Sequence, residues 1–272
     1  MNVQTLIRDY AIEMLCRMLI MTVFIITLSI SAWGEKPNEF IVNSWPKTTG
    51  EKGIPEGWIL KEYHGEVESG DIKILRENSK NILQLQANKK SFFLGKEDLS
   101  ISIRRTPILT WQWKIQNLIS HADARNLDTD DQPINLYVTF KKDKDNKQRA
   151  IGYMWGNKTG RCTYFISPTE DSWFSRKALR LAGVPITSYA VLRNSKSSVN
   201  TWYRESRNLA EDYKKIFKLD FFPDVQSVAV QIDTATLGGN AKSWMGSIFF
   251  SEQLKTETVD RESICKSLEK NS

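Results

Sequence analysis

Apolar and polar residues alternate with a period of two along most of this chain. In LTWQWKIQ (109–116), Leu109, Trp111, Trp113 and Ile115 share one face, and Thr110, Gln112, Lys114 and Gln116 the other. INLYVTF groups Ile134, Leu136, Val138 and Phe140, and AIGYMWG groups Ile151, Tyr153 and Trp155. VQSVAVQID aligns Val228, Val230 and Ile232, and SWMGSIFF aligns Trp244, Ile248 and Phe250 around Gly246. GDIKILRE, NILQLQA, SFFLGKE and LSISIR read the same way. This is the pattern of strands with one buried and one wetted face, and it predicts about nine or ten of them. Turns such as SGD, DKDN, GNKTG and LGGN join them. The expected fold is mostly β, a single antiparallel β-sandwich of jelly-roll type with its core between two sheets. Strands do not alternate with helices, which argues against an α/β fold.

Two segments change period. In DSWFSRKALRLAG (171–183), Phe174, Ala178 and Leu181 recur at helical spacing before Gly183. NLAEDYKKIF (208–217) is a second short helix, with Asn208 as cap and Glu211 in capping-box position. Its stripe of Leu209, Tyr213, Ile216 and Phe217 is expected to close the open end of the sandwich.

The N-terminus has another character. Residues 18–30, MLIMTVFIITLSI, form an uncharged apolar run between Arg17 and the small residues Ala32 and Gly34. These are the parts of a secretory signal peptide. The expected organisation is a signal peptide over 1–34, a sandwich domain over 35–253 and a polar tail over 254–272. The run is shorter than the ~20 residues of a comfortable membrane span, so a membrane link is expected only if this segment stays uncleaved. The mature protein is expected in the periplasm or outside the cell. Loss of Cys16 would leave Cys162 and Cys265, whose pairing is open in an oxidising compartment.

Composition narrows the chemistry. The net charge is +6, from 38 basic and 32 acidic residues. The densest basic piece, KKDKDNKQR (141–149), is interleaved with aspartates and reads as a hairpin tip, not a nucleic-acid surface. His64 and His121 are the only histidines, and no CxxC is present, which leaves too few ligands for a zinc site.

The acidic stretch NLDTDDQPINLYVTF (126–140) offers Asp128, Asp130 and Asp131. An EF-hand is excluded, because Pro133 stands where Gly is needed and Thr139 where Glu is needed. A calcium site built on Asp130 and backbone carbonyls stays open. Asp131 starts one strand and Asp233 ends another, so both could flank a glycosidic bond at ~5 Å or ~6.5–9.5 Å. The simpler reading makes the acids strand-end residues that accept turn N–H bonds, with Arg204 or Arg207 as ion-pair partner. Of the nine tryptophans, Trp111 and Trp113 belong to the core. Trp155, Trp173 and Trp202 lie near turns or polar neighbours and could stack sugar rings, with Arg207 and Asp130 as polar partners.

The series PILTWQWKI, TDDQPINLYVTF, AIGYMWG, NTWYRESRNLAEDYKKIF and VQSVAVQIDTATLGGNAKSWMGSIFF resembles the bacterial DUF3047 family, over residues 57 to 251. The resemblance implies an exported β-rich domain and transfers no catalytic residue. Asn135 stands where the family usually carries Arg, Ala235 replaces an acid, and 161–184 reads as an insertion. The expected function is a non-catalytic exported sandwich that binds a glycan or cell-envelope component. The alternatives are a secreted carbohydrate-active hydrolase using Asp131 and Asp233, and a structural or assembly domain.

Overall fold

The computed structural model describes residues 39–43, 45–46, 49–168 and 184–254. All of them lie in the unit Asn38–Ser272. The expected signal peptide, the helix over 171–183, Trp173, Cys16, Cys265 and nearly all of the tail fall outside the described residues.

Among the described residues there are fourteen strands: β1 (Glu39–Asn43), β2 (Ile59–His64), β3 (Ile72–Glu77), β4 (Lys80–Asn88), β5 (Ser91–Lys96), β6 (Ile108–Ile115), β7 (Gln132–Phe140), β8 (Arg149–Trp155), β9 (Tyr164–Ile166), β10 (Ile186–Arg193), β11 (Tyr203–Asn208), β12 (Val225–Asp233), β13 (Asn240–Met245) and β14 (Ile248–Ser251). One helix, α1 (Leu209–Phe217), follows β11. The first sheet runs β1-β14-β6-β13-β4-β3, with β11 also paired to β6. The second runs β2-β5-β12-β7-β8-β10-β9. Every pairing is antiparallel except β8 with β10. The fold is a β-sandwich, as the alternation predicts.

The inner faces meet through large rings. Trp111 of the first sheet lies 5.1 Å from Tyr153 of the second, and Trp113 lies 5.8 Å from Trp155. All four are fully buried, and each contributes on the order of 2–3 kcal/mol by leaving water. Ser243 of β13 donates to the Pro133 carbonyl of β7 at 2.6 Å, a polar tie between the sheets. Helix α1 closes one end, as expected. Tyr213 packs on Phe140 at 4.8 Å, and the Asn208 side chain accepts from the amides of Ala210 and Glu211. Lys218, at φ 57, ends the helix in left-handed geometry.

Two readings of the pattern are corrected. LSISIR forms no strand: Ser102 accepts from the Thr106 amide in a turn, and only Ile101 makes a bridge, to Val225. Its alternation survives because Leu99, Ile101 and Ile103 still point into the core. SWMGSIFF is two strands. Gly246 donates to the Gln112 carbonyl at 2.7 Å and breaks the run, so the face parity changes. Met245, Ile248 and Phe250 are buried, whereas Trp244 turns outward and is half-buried.

Candidate functional site

The outward face of the second sheet carries the densest polar chemistry. Register places Gly95, Ala229, Tyr137, Gly152, Tyr189 and Phe165 in one line across β5, β12, β7, β8, β10 and β9. The neighbouring line is Lys61, Phe93, Gln231, Asn135, Met154 and Val191. Rings of the two lines, with Tyr63 of β2, touch in series: Tyr63 to Phe93 at 4.9 Å, Phe93 to Tyr137 at 5.2 Å, Tyr137 to Tyr189 at 6.0 Å and Tyr189 to Phe165 at 5.3 Å. Small residues make room for them. A Cβ on Gly152 would stand 2.7 Å from Tyr189 Cδ1 and 3.0 Å from Tyr137 Cε1. Tyr137 and Tyr189 are buried, Phe93 is half-buried, and Tyr63 is 69% exposed at the rim.

Beside the rings lies a hydrogen-bonded set of amides, phenols and carboxyls. Asn135 Nδ2 donates to Gln132 Oε1 at 2.8 Å and to Gln231 Oε1 at 2.9 Å. Tyr137 donates to the same Gln231 oxygen at 2.8 Å, and its hydroxyl lies 3.0 Å from that of Tyr189. Gln132 Nε2 donates to Asp130, and Gln231 Nε2 donates to Asp233 at 3.2 Å. The buried Asn135 Oδ1 has no protein partner. Two amide chains therefore lead from the buried tyrosines to Asp130 and Asp233, which are only half-buried.

The four carboxyls here have different environments. Asp131 is buried, and its two oxygens accept from the Thr236 and Leu237 amides at 2.9 Å each. This is the strand-end role that the sequence suggests. Burial pushes the Asp130 carboxyl up to about 7 against its bond from Gln132, and the charges of Asp233, Asp131 and Asp123 push the same way. Burial likewise pushes Asp233 up to about 6, although the Ala235 amide and the Ser91 hydroxyl favour its anion. Asp123 goes the other way, to about 2, because Arg125 bonds it through Nε and Nη2.

Other sequence candidates separate. Asp131 and Asp233 do come together, since the Asp131 charge helps to raise the Asp233 carboxyl, but both Asp131 oxygens are already taken by the Thr236 and Leu237 amides. His64 pairs with Ser91, whose hydroxyl goes to Asp233. Among the described residues no group of three His, Cys, Asp or Glu side chains could hold a metal ion.

Trp155 is corrected from a surface platform to a core residue. It is fully buried, packed on Trp113 and on Tyr203 at 5.4 Å, because its strand position faces the opposite sheet. Arg207 is corrected as well. It points inward from β11 and bonds Asp212 of α1, with Nε to Oδ2 at 2.9 Å, and does not reach the acidic stretch. Tyr153 donates to the same Asp212 at 2.7 Å. Burial opposes the Arg207 charge, but the Asp212 carboxylate outweighs it and holds the guanidinium above its ordinary pKa. Trp202 sits on the other sheet, where its Nε1 donates to Glu77 at 2.9 Å. Of the five residues proposed for ligand contact, Trp173 lies outside the described residues and Asp130 alone belongs to the polar face just described. The sequence reading missed Phe93, Gln132, Asn135, Tyr137, Tyr189 and Gln231. Their shared parity with polar neighbours was visible, but the strand order that brings them together was not.

Comparison with known proteins adds the following. The model of a family described as protein of unknown function, DUF3047, matches residues 56–249. No curated protein matches the sequence. Among solved structures the chain is similar to a family 29 carbohydrate binding module, at 9% identity over 85% of this chain and 99% of that chain, with a TM-score of 0.33. It is similar to the family 11 carbohydrate-binding module of the cellulosomal cellulase Lic26A-Cel5E of Clostridium thermocellum, at 9% identity over 81% and 98%, with a TM-score of 0.38. It is also similar to part of a beta-1,2-glucanase from Parabacteroides distasonis, at 12% identity over 79% of this chain and 25% of that chain, with a TM-score of 0.39. Likeness at this level carries no argument about ligand.

Proposed function

From the premise that this chain belongs to the DUF3047 family, we propose that it is an exported, non-catalytic β-sandwich that binds a glycan or other hydroxyl-rich envelope component on the outward face of its second sheet. One observation carries the reading: half-buried Asp130 and Asp233, held by a chain of amides, stand on the same face as the partly open rings of Phe93 and Tyr63. Sugars present apolar C–H faces that suit aromatic rings and hydroxyls that suit fixed acceptors. The polar groups are pre-ordered by their own hydrogen bonds, so little ordering cost falls on binding. Export is supported by the apolar run at 18–30 with its small-residue end, and by the disulfide bonding of Cys162.

The test is isothermal titration of the full chain, as secreted, against soluble neutral β-glucans and mannans. Saturable heat is expected, weakened about tenfold, or 1.4 kcal/mol, by Tyr63→Ala or Asp233→Asn. No heat with any of these glycans at millimolar concentration, or heat indifferent to both substitutions, overturns the reading.

A further inference from the structure

The outward face of the first sheet holds a separate set of side chains with the opposite charge. Register lines up Lys73 on β3, Gln84 on β4, Trp244 on β13 and Lys114 on β6. Trp202, just before β11, extends this row. The Lys114 ammonium lies 4.8 Å from the Trp202 ring centroid and 4.7 Å from that of Trp244. Glu77 bonds both Trp202 Nε1, at 2.9 Å, and Lys114, at 3.3 Å. The two indoles are therefore pinned on a shared cation and remain half-buried. Lys242 stands two residues before Trp244 on the same face, opposite Gln86, and Gln112 stands two residues before Lys114, opposite Arg204. Lys73, Lys114 and Lys242 thus surround the tryptophan pair. Glu77, the carboxylate beside the pair, is already bonded to Trp202 and Lys114.

We propose that this face is a second binding site, for an anionic glycan. The sugar rings of a uronate-bearing polysaccharide stack on Trp202 and Trp244, and its carboxylates take Lys73 and Lys242, with the Gln84 and Gln112 amides bonding hydroxyls. The face of the other sheet suits this ligand less, since Asp130 and Asp233 repel a carboxylate wherever they are ionised. The site is independent of the reading given above, because it shares no residue with it.

Native gel electrophoresis of the full chain in gels containing sodium polygalacturonate or sodium alginate tests this. The parent chain is expected to be retarded at low salt, and the retardation should fall as sodium chloride is added. Trp244→Ala, and the pair Lys73→Ala with Lys242→Ala, should each weaken apparent affinity at least about tenfold. Lys158→Ala removes the same charge from a turn after β8, on the other sheet, and should leave retardation unchanged. The lysine pair lies on the surface and keeps the test alive if the tryptophan variant fails to fold. Absence of retardation in both polyuronates overturns the proposal. So does equal loss with Lys158→Ala, which reduces the effect to net basicity, or retardation indifferent to the tryptophan and lysine substitutions.

Discussion

Asp130 shows how a single side chain sets a pH dependence. Its carboxyl is pushed up to about 7 in the folded chain, against an ordinary 3.8. Between those values the folded chain holds a proton that the unfolded chain has released. Stability therefore falls as pH rises through the window from about 4 to 7. Asp130→Asn removes the buried charge and is expected to raise the melting temperature at pH 8, by on the order of 2 kcal/mol of stability, and to match the parent at pH 4. Equal differences at both pH values in a thermal-melt series would refute this. Arg207 makes the reverse case. Its partner Asp212 is buried, so Arg207→Met strands a carboxylate and should cost about 3–5 kcal/mol by urea denaturation. Adding Asp212→Leu should recover much of that loss, because an apolar pair needs no solvation.

At the level of elements, periodicity carried most of the information. Strands such as β6, β7 and β12 have one buried face each, and α1 combines a capping residue with an apolar stripe. Asn208→Ala is expected to cost ~1 kcal/mol in the same denaturation assay, with Asn208→Asp close to neutral. What the pattern could not carry was breaks and neighbours. Gly246 shifts face parity without interrupting the alternation of residue types, so Trp244 read as core although it faces outward. Trp155 read as surface because Gly156 follows it, although its ring meets Trp113 across the sandwich. Strands β2, β10 and β11 are mixed in polarity along their length and gave no clear alternation. The polar face needed long-range order: Gln132 and Gln231 lie 99 residues apart, and only β7–β12 pairing joins them through Asn135.

For the molecule as a whole, the sandwich separates two outer surfaces of unlike charge across one oily interior. β7 and β12 are central in the second sheet and packed on both sides, whereas β2 lies at its edge with nearly every residue exposed. Native-state hydrogen exchange should rank β7 and β12 amides slowest and those of β2 among the fastest. Uniform protection across the second sheet would contradict that ordering.

Pairing of β1 with β14 has a consequence for synthesis. The first strand described finds its neighbour in the last, some two hundred residues on, and Glu39 sits against Ser251. A growing polypeptide therefore leaves the ribosome with its first sheet unsealed, because β6 lacks both β13 and β14 until the final segment emerges. A nascent chain stopped before Asn240 cannot complete that sheet.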